Sequence, residues 1–230
     1  MATTGEEVRT AETAVLPETE AVRLVRRAAG ARGLQWPQDA RSVQGIGGLR
    51  ADLAGSPGEE RLAWATLNGR DGVVGLFSGD KLLDAPNRGL GEVRRVQLVR
   101  LPGLPYRALM VDDLVEQQVG AFLTEERRRI YVWDGRRLRQ VYQGILKRSQ
   151  LVHAQWENPR GPAVWRRSLQ EGEIRLNGPM LTERTRSTEW EAVGSPRAPV
   201  PPEERFRLRR EAAAERQFRW NARLRRFETA

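Results

Sequence analysis

The feature that most constrains the fold of this chain is a short β-hairpin pattern that occurs twice. Residues 130–142 read IYVWDGRRLRQVY and residues 217–227 read QFRWNARLRRF. Each has an aromatic-ended strand, a turn opened by Asp or Asn, and a second strand that begins with Arg-Leu-Arg. A weaker copy, VVGLFSGDKLL, covers residues 73–83. Repeated hairpins of one design predict antiparallel β units, which commonly bind a partner or form a scaffold.

Strand and turn signals continue through most of the chain. Side chains that alternate between two faces over residues 62–67, followed by the turn sequence NGRDG at 68–72, predict a meander with residues 73–83. Asn177-Gly178 predicts another hairpin. Residues 18–29 instead show helical spacing, with acidic residues in the first turn. The predicted fold class is mainly β, with antiparallel meander units arranged as propeller blades or as a β-sandwich, and one N-terminal helix.

Composition divides the chain into five segments. Residues 1–16 are predicted to be a flexible leader, and residues 17–44 the N-terminal helix with its connector. Residues 45–193 are predicted to form an antiparallel β repeat domain. The Pro-rich stretch 194–202 is predicted to be a linker. Residues 203–230 are predicted to be a C-terminal segment, a strand or short helix followed by a β-hairpin that packs on the β domain.

Tryptophan is expected to supply much of the core, because each indole buries a large area. Six of these residues lie in predicted strands: Trp64, Trp133, Trp156, Trp165, Trp190 and Trp220. Arginine lies beside several of them, and aromatic faces with arginine also bind carbohydrate or single-stranded nucleic acid. Placement in the core is the simpler interpretation.

The charge of the chain restricts its partners. The formal net charge is +9 at pH 7, and 37 of the 39 basic residues are arginine because lysine occurs only at positions 81 and 147. Such a surplus favours an acidic partner: nucleic acid, an anionic cell-surface polymer or a membrane surface. The alternative is a solvated arginine-rich face in a protein of biased codon usage. No run of about 18 apolar residues occurs, so we predict no membrane span.

Several classes of active site are disfavoured by composition. The chain has no cysteine, which excludes disulfides, iron–sulfur clusters and cysteine-bound zinc. His153 is the only histidine, which argues against a histidine metal site or a Ser-His-Asp triad, and we expect it to be structural. Asp112, Asp113 and Glu116 could form an acid/base site, but a solvated turn between two strands explains them more simply. We predict that the protein is not an enzyme.

Laid out as hairpins, the chain resembles the FG-GAP/VCBS-like repeat proteins of bacteria. The matching stretches are LRADLAGSPGEERLAWATL at 49–67, ALMVDDLVEQQVGAFLT at 108–124, VWDGRRL at 132–138 and RWNARL at 219–224. The resemblance covers residues 45–228. It implies repeated units of antiparallel strands, propeller-blade-like, in which a strand ends in a calcium loop of D-x-D-G-D type.

The chain departs from such a calcium loop. An oxygen-ligated loop needs acidic or amide side chains on alternate residues and a glycine at the sharp turn. Asp52, Glu59, Asp112 and Asp113 could supply oxygens, but their spacing and the glycine placement differ from that pattern. We therefore predict no metal and no cofactor, with a residual calcium site as the alternative.

These observations predict a non-catalytic structural or binding scaffold that recognises another protein or an anionic cell-surface polymer through strand edges and arginine-rich loops. The arginines expected to recognise the partner are Arg127, Arg128, Arg129, Arg136 and Arg137. The first three end the stretch TEERRR at 124–129, which is predicted to be a charged turn. We expect an extracytoplasmic or secreted protein, although no apolar segment behind the first Met marks a signal peptide. Two alternatives stay open: a subunit of a homo-oligomer or filament whose β edges pair between chains, and a basic nucleic-acid-binding protein.

Overall fold

The structure, a computed structural model, describes residues 14–54, 60–86, 89–117 and 122–230. It is mainly β, with two antiparallel sheets and one N-terminal helix, as the sequence predicts. The helix, α1, spans Glu18–Ala31.

Within each sheet, neighbouring strands follow one another along the chain. The first sheet contains β1 (Val43–Ala51), β2 (Glu60–Leu67), β3 (Asp71–Ser78) and β4 (Lys81–Asp84). The second contains β5 (Glu92–Val99), β6 (Ala108–Gln117), β7 (Phe122–Trp133), β8 (Leu138–His153), β9 (Val164–Asn177), β10 (Met180–Val193), β11 (Arg207–Asn221) and β12 (Arg226–Thr229). A one-turn helix, α2 (Ala154–Glu157), follows β8, and short 3-10 turns occupy Ala40–Ser42 and Glu203–Arg205.

The helix covers one face of the first sheet. Its apolar positions recur at helical spacing, and Leu24, Val25 and Ala28 are fully buried against Val73 and Phe77 of β3. The other face of the first sheet packs on the second sheet through a shared core. This core is formed by buried side chains of both sheets, including Leu62, Val74, Leu76, Leu109, Val111 and Tyr131. Face-to-face packing of two sheets is the sandwich arrangement rather than a ring of blades.

The hairpins that the sequence indicates are present. Trp133 pairs with Leu138 at the end of β7–β8, and Asn221 pairs with Arg226 at the end of β11–β12. The weaker copy is β3–β4. The hairpin predicted at Asn177-Gly178 is β9–β10: Asn177 ends β9 and pairs with Met180, and Gly178 and Pro179 form the turn, with Gly178 in the left-handed region at φ 55°.

The second sheet is longer and more continuous than the sequence predicts. The stretch 124–129, predicted to be a charged turn, lies inside β7, and the turn expected at 112–113 lies inside β6. Both predictions are wrong, because the polar residues of 124–129 and of 112–113 pair across β6 and β7. Residues 194–202 connect β10 to β11, and these two strands pair with each other. The segment predicted as a linker therefore joins neighbours in one sheet, and 203–230 extends that sheet.

The predicted leader and core tryptophans have mixed outcomes. Residues 14–16 pair with β1, where Leu16 N–H donates to the Gly48 oxygen at 3.0 Å, and residues 1–13 lie outside the described residues.

Three of the predicted core tryptophans, Trp133, Trp165 and Trp220, are buried as expected. Trp64 and Trp190 are half-buried. Trp156 is 43% exposed and lies in α2, because β8 ends at His153.

Gly72 lies where the two sheets meet, and we expect Gly72→Ala to destabilise the protein. A Cβ there would lie 2.1 Å from the Gly91 carbonyl oxygen, and this backbone atom can move only if the chain between the sheets moves. Overpacking of this kind costs about 1–3 kcal/mol. The free energy of unfolding, from denaturant titration, measures the change.

Gly30→Ala is the control for this prediction. No heavy atom lies within 4 Å of a Cβ at Gly30, which is in α1. Alanine should therefore stabilise the helix by about 0.5–1 kcal/mol. An unfolding midpoint for Gly72→Ala equal to that of the unsubstituted protein would contradict the close packing of the sheets.

Candidate interaction surface

Two adjacent aspartates at the centre of β6 are held by three consecutive arginines of β7. The strand register places Asp112 opposite Arg128 and Asp113 opposite Arg127. Since neighbouring residues of a strand face opposite sides, Asp112 and Asp113 form ion pairs on different faces of the sheet. Both carboxylates are buried, with 5% and 0% of their residue surface exposed.

On one face, Asp112 binds Arg128 in a two-pronged ion pair. Arg128 Nε donates to Asp112 Oδ1 and Nη2 donates to Oδ2, both at 2.8 Å. The third nitrogen, Nη1, donates to the Ile174 carbonyl oxygen of β9 at 3.0 Å. Gly144 of β8 pairs with Arg128 and lies between it and β9. There is no room for a side chain at Gly144, since a Cβ there would lie 2.7 Å from Ile174 Cδ1. Hydrogen bonding to Asp112 raises the pKa of Arg128.

On the other face, Asp113 organises the connection between the two sheets. Its Oδ2 accepts hydrogen bonds from Arg127 Nη2 at 2.7 Å and from Gly91 N–H at 2.8 Å. Arg129 Nε lies 3.0 Å from Asp113 Oδ1. Arg127 and Arg129 also donate to the Gly89 carbonyl oxygen, at 2.9 Å and 2.6 Å. The cluster therefore fixes the chain that leads from the first sheet into β5.

The five arginines predicted to recognise a partner fall in two separate places. Arg127, Arg128 and Arg129 lie in the middle of β7, where they are buried or half-buried and bound to aspartate. Arg136 and Arg137 lie in the exposed turn between β7 and β8. The structure thus gives the first three a role inside the sheet and leaves only the last two at the surface.

The predicted calcium candidates do not come together. Asp112 and Asp113 face opposite sides of the sheet and bind arginine, so neither is placed for a calcium loop or as a solvated acid/base pair. The backbone oxygen of Asp52 accepts a hydrogen bond from Arg107 N–H at 3.0 Å. Glu59 lies outside the described residues. Within the described ranges, no group of three or more acidic or histidine side chains could hold a metal ion.

The single histidine has a structural environment. His153 is fully buried, its Nδ1 accepts from Gln155 N–H at 3.2 Å, and its Nε2 lies 2.9 Å from the Gly194 carbonyl oxygen. These partners assign the proton to Nε2. The ring also contacts Trp156 and Trp165. His153 therefore fixes the end of β8 to the start of the β10–β11 connection.

The turns of the two repeated hairpins meet at one end of the second sheet. Arg139, at the start of β8, donates from Nη2 to the Arg225 carbonyl oxygen at 2.7 Å. Arg225 in turn donates from Nη1 to the Trp133 carbonyl oxygen at 3.2 Å. Because both hairpins carry Arg-Leu-Arg at equivalent positions, the contact brings two sets of arginines together.

These residues form a basic patch that we call the arginine surface. It consists of the arginines of turns 134–139 and 222–226: Arg136, Arg137, Arg139, Arg223, Arg225 and Arg226. Two carboxylates accompany them, Asp134 and Glu228, which leaves four more positive than negative charges. Arg136, Arg139, Arg223 and Arg225 form no ion pair with a carboxylate of the described residues. Their charge is therefore not neutralised within this part of the chain.

Both turns are held by the side chain that opens them. Asp134 Oδ1 accepts from Arg137 N–H at 3.0 Å, and Asn221 Oδ1 accepts from Leu224 N–H at 3.0 Å. Asp134 Oδ1 also accepts from Arg136 N–H, two residues on, at 2.9 Å, and this second contact is an Asx turn. The backbone hydrogen bonds from Arg137 and Arg136 lower the pKa of Asp134. Asp134 consequently stays ionised near neutral pH and keeps its turn closed.

A third segment, the loop of residues 100–107, supports the arginine surface. Trp220 Nε1 donates to the Pro102 carbonyl oxygen at 3.1 Å, and Tyr106 Oη donates to the Trp133 carbonyl oxygen. This loop lines a cavity of about 380 Å³ together with Asp52 and Gly178. The exposed Arg100 also lines this cavity.

Elsewhere on the second sheet, arginine is matched by glutamate. Pairs with N···O distances of 3.1 Å or less include Arg166–Glu191, Arg184–Glu215, Arg209–Glu191 and Arg216–Glu183. The arginine surface has fewer carboxylates beside its arginines, since only Asp134 and Glu228 accompany six of them. Sequence reasoning missed Arg139, Arg223, Arg225 and Arg226, although the likeness of the two hairpins was a signal that could have indicated them.

Comparison with family models, with curated proteins and with solved structures finds no match to this chain. Neither helix in the described part of the chain is long and apolar enough to cross a bilayer.

We expect Asp113→Ala to destabilise the protein by about 3–5 kcal/mol, because it leaves two arginines without their buried counter-ion. Asp113 is fully buried, whereas the Glu173–Arg175 pair has side chains 49% and 68% exposed. Glu173→Ala is therefore the control and should cost at most about 1 kcal/mol. Denaturant titration measures both, and similar losses would contradict the assigned role of Asp113.

Proposed function

We propose that this protein is a non-catalytic scaffold that binds an anionic polymer through the arginine surface. The observation that carries the proposal is the convergence of arginines from the two repeated hairpins with few carboxylates to neutralise them. Guanidinium groups bind phosphate and carboxylate with two parallel hydrogen bonds, so a cluster of them suits a chain of such anions.

Exposure and rigidity both support this interpretation. The side chains of Arg137 and Arg226 are 72% and 60% exposed, so they are accessible to a large ligand. Asp134 and Asn221 fix the turn backbones, which reduces the ordering that binding would require. A surface spread over two turns suits an extended polymer better than a small molecule.

The polymer that we propose is an anionic cell-surface polymer, which implies an extracytoplasmic setting. The hairpins involved are also the stretches that resemble FG-GAP/VCBS-like repeats most closely. Nucleic acid offers the same phosphate chemistry, so the experiment must distinguish the two polymers.

We expect the triple variant Arg136→Ser, Arg137→Ser and Arg223→Ser to weaken binding to polyphosphate at least tenfold. The slope of log affinity against log salt should fall by about one for each arginine that contacts an anion. Fluorescence anisotropy with end-labelled polyphosphate and with labelled DNA, each at several salt concentrations, measures both quantities.

The matched control is the triple variant Arg27→Ser, Arg70→Ser and Arg160→Ser. These arginines are exposed on α1, on the β2–β3 turn and near α2, and their loss changes the net charge equally. Equal weakening by both triple variants would show that only net charge matters and would refute the assigned surface. Much tighter binding to DNA than to polyphosphate would instead favour a nucleic-acid partner.

A further inference from the structure

The second sheet ends in a long strand whose outer edge is open. β12 pairs only with residues 218–221 of β11, and Ala230 N–H then donates to the Gln217 carbonyl oxygen at 2.9 Å. From Arg207 to Arg216, the outer side of β11 meets no strand among the described residues. An open edge of this length is a template for pairing with another chain.

The other outer strands in the described ranges have shorter or partly covered edges. The outer side of β1 pairs near its end with residues 14–16, and β4 is only four residues long. The start of β5 lies against the first sheet, where Val93 N–H donates to Thr66 Oγ1 at 2.9 Å. Among these outer strands, β11 has the longest edge without a partner strand.

The alternation of the backbone identifies the groups that point outward. Trp220 N–H donates inward to the Pro179 carbonyl oxygen at 2.7 Å, whereas the Gln217 carbonyl points outward to Ala230. Since N–H and C=O groups alternate sides along an antiparallel strand, those of Glu211, Ala213 and Glu215 also point outward.

The composition of this edge also favours a partner. Residues 210–216 read REAAAER, a run with high helix propensity that nevertheless forms a strand. All of them except Ala212 are exposed. Such conflicts between local preference and fold are expected at functional sites. The run contains no proline or lysine to block pairing, and its three alanines allow another backbone to approach closely.

We propose that β11 pairs in an antiparallel manner with β11 of a second copy, with the two-fold axis at Ala212. An axis at Ala213 would place Glu211 opposite Glu215 and Arg210 opposite Arg216. Like charges in directly opposite positions are destabilising. An axis at Ala214 would require residues 217 and 218, which already pair at the β12 edge.

An axis at Ala212 avoids both problems. It places Arg210 opposite Ala214 and Glu211 opposite Ala213, and it places Arg209 opposite Glu215. Arg209 is the bulged residue of the β10–β11 register, so pairing ends there. This dimer does not depend on the proposed polymer binding. Because the strands are antiparallel, it would carry its two arginine surfaces at opposite ends of the joined pair.

A cysteine trap tests the register directly, since the natural chain has no cysteine. The backbone N–H and C=O groups of Ala212 point inward, towards β10. At the axis, the two copies of Ala212 therefore form a non-hydrogen-bonded pair, with their Cα atoms about 4.5 Å apart. That separation permits a disulfide. We expect Ala212→Cys to form a covalent dimer on mild oxidation, as seen on a non-reducing gel.

Ala214→Cys is the matched control on the same strand and face. In the proposed register its two copies lie four residues apart, about 13 Å along the strands, so no cross-link should form. Faster cross-linking of Ala213→Cys than of Ala212→Cys would overturn the axis. Equal, slow cross-linking of all three variants would overturn the pairing.

Charge variants examine the same register without oxidation. Ala214→Lys places lysine opposite Arg210 of the second copy and should raise the dimer dissociation constant at least tenfold in sedimentation equilibrium. Ala213→Lys places lysine opposite Glu211 and should leave that constant unchanged or lower it. The reverse order of effects would refute the register, and a monomer at every concentration of the unsubstituted protein would refute the dimer.

Discussion

The pairing of Asp112 and Asp113 with three arginines of β7 is the interaction on which the rest of the structure depends. It takes two carboxylates out of water, a cost that is offset only if each finds close partners. The register of β6 and β7 provides those partners, because a shift by one residue would place each carboxylate on the wrong face. The same pairing fixes Gly89 and Gly91 and thereby the first sheet.

Charge compensation also explains where the protein can bind a partner. Strands β9, β10 and β11 are long and rich in arginine, and many of their arginines pair with glutamates of neighbouring strands. Each such pair has little net field beyond a Debye length. The arginine surface has less of this compensation, because most of its arginines lie in turns and only Asp134 and Glu228 accompany the six of them. Its positive potential therefore extends into solvent and can attract a polyanion.

Local signals in the sequence account for the hairpins and for α1. Asn177-Gly178 and Asp134-Gly135 specify their turns through backbone geometry, which needs no information from distant residues. The strand content of 124–129 was not predictable in this way, since six consecutive polar residues look like a turn until their partners are known. The aspartates that pair with Arg127 and Arg128 lie 14 and 16 residues away in β6. The predicted recognition role of Arg127, Arg128 and Arg129 relied on that mistaken turn.

The meeting of the two hairpin turns required the same non-local knowledge. Their shared Arg-Leu-Arg was visible in the sequence, but it could not show that β11 and β12 return towards the start of β8. That return follows from the curl of the second sheet, in which Tyr142 packs edge-on against Phe218 and Phe227. The same hairpin leaves most of β11 uncovered, because the four residues of β12 pair only with the last four residues of β11.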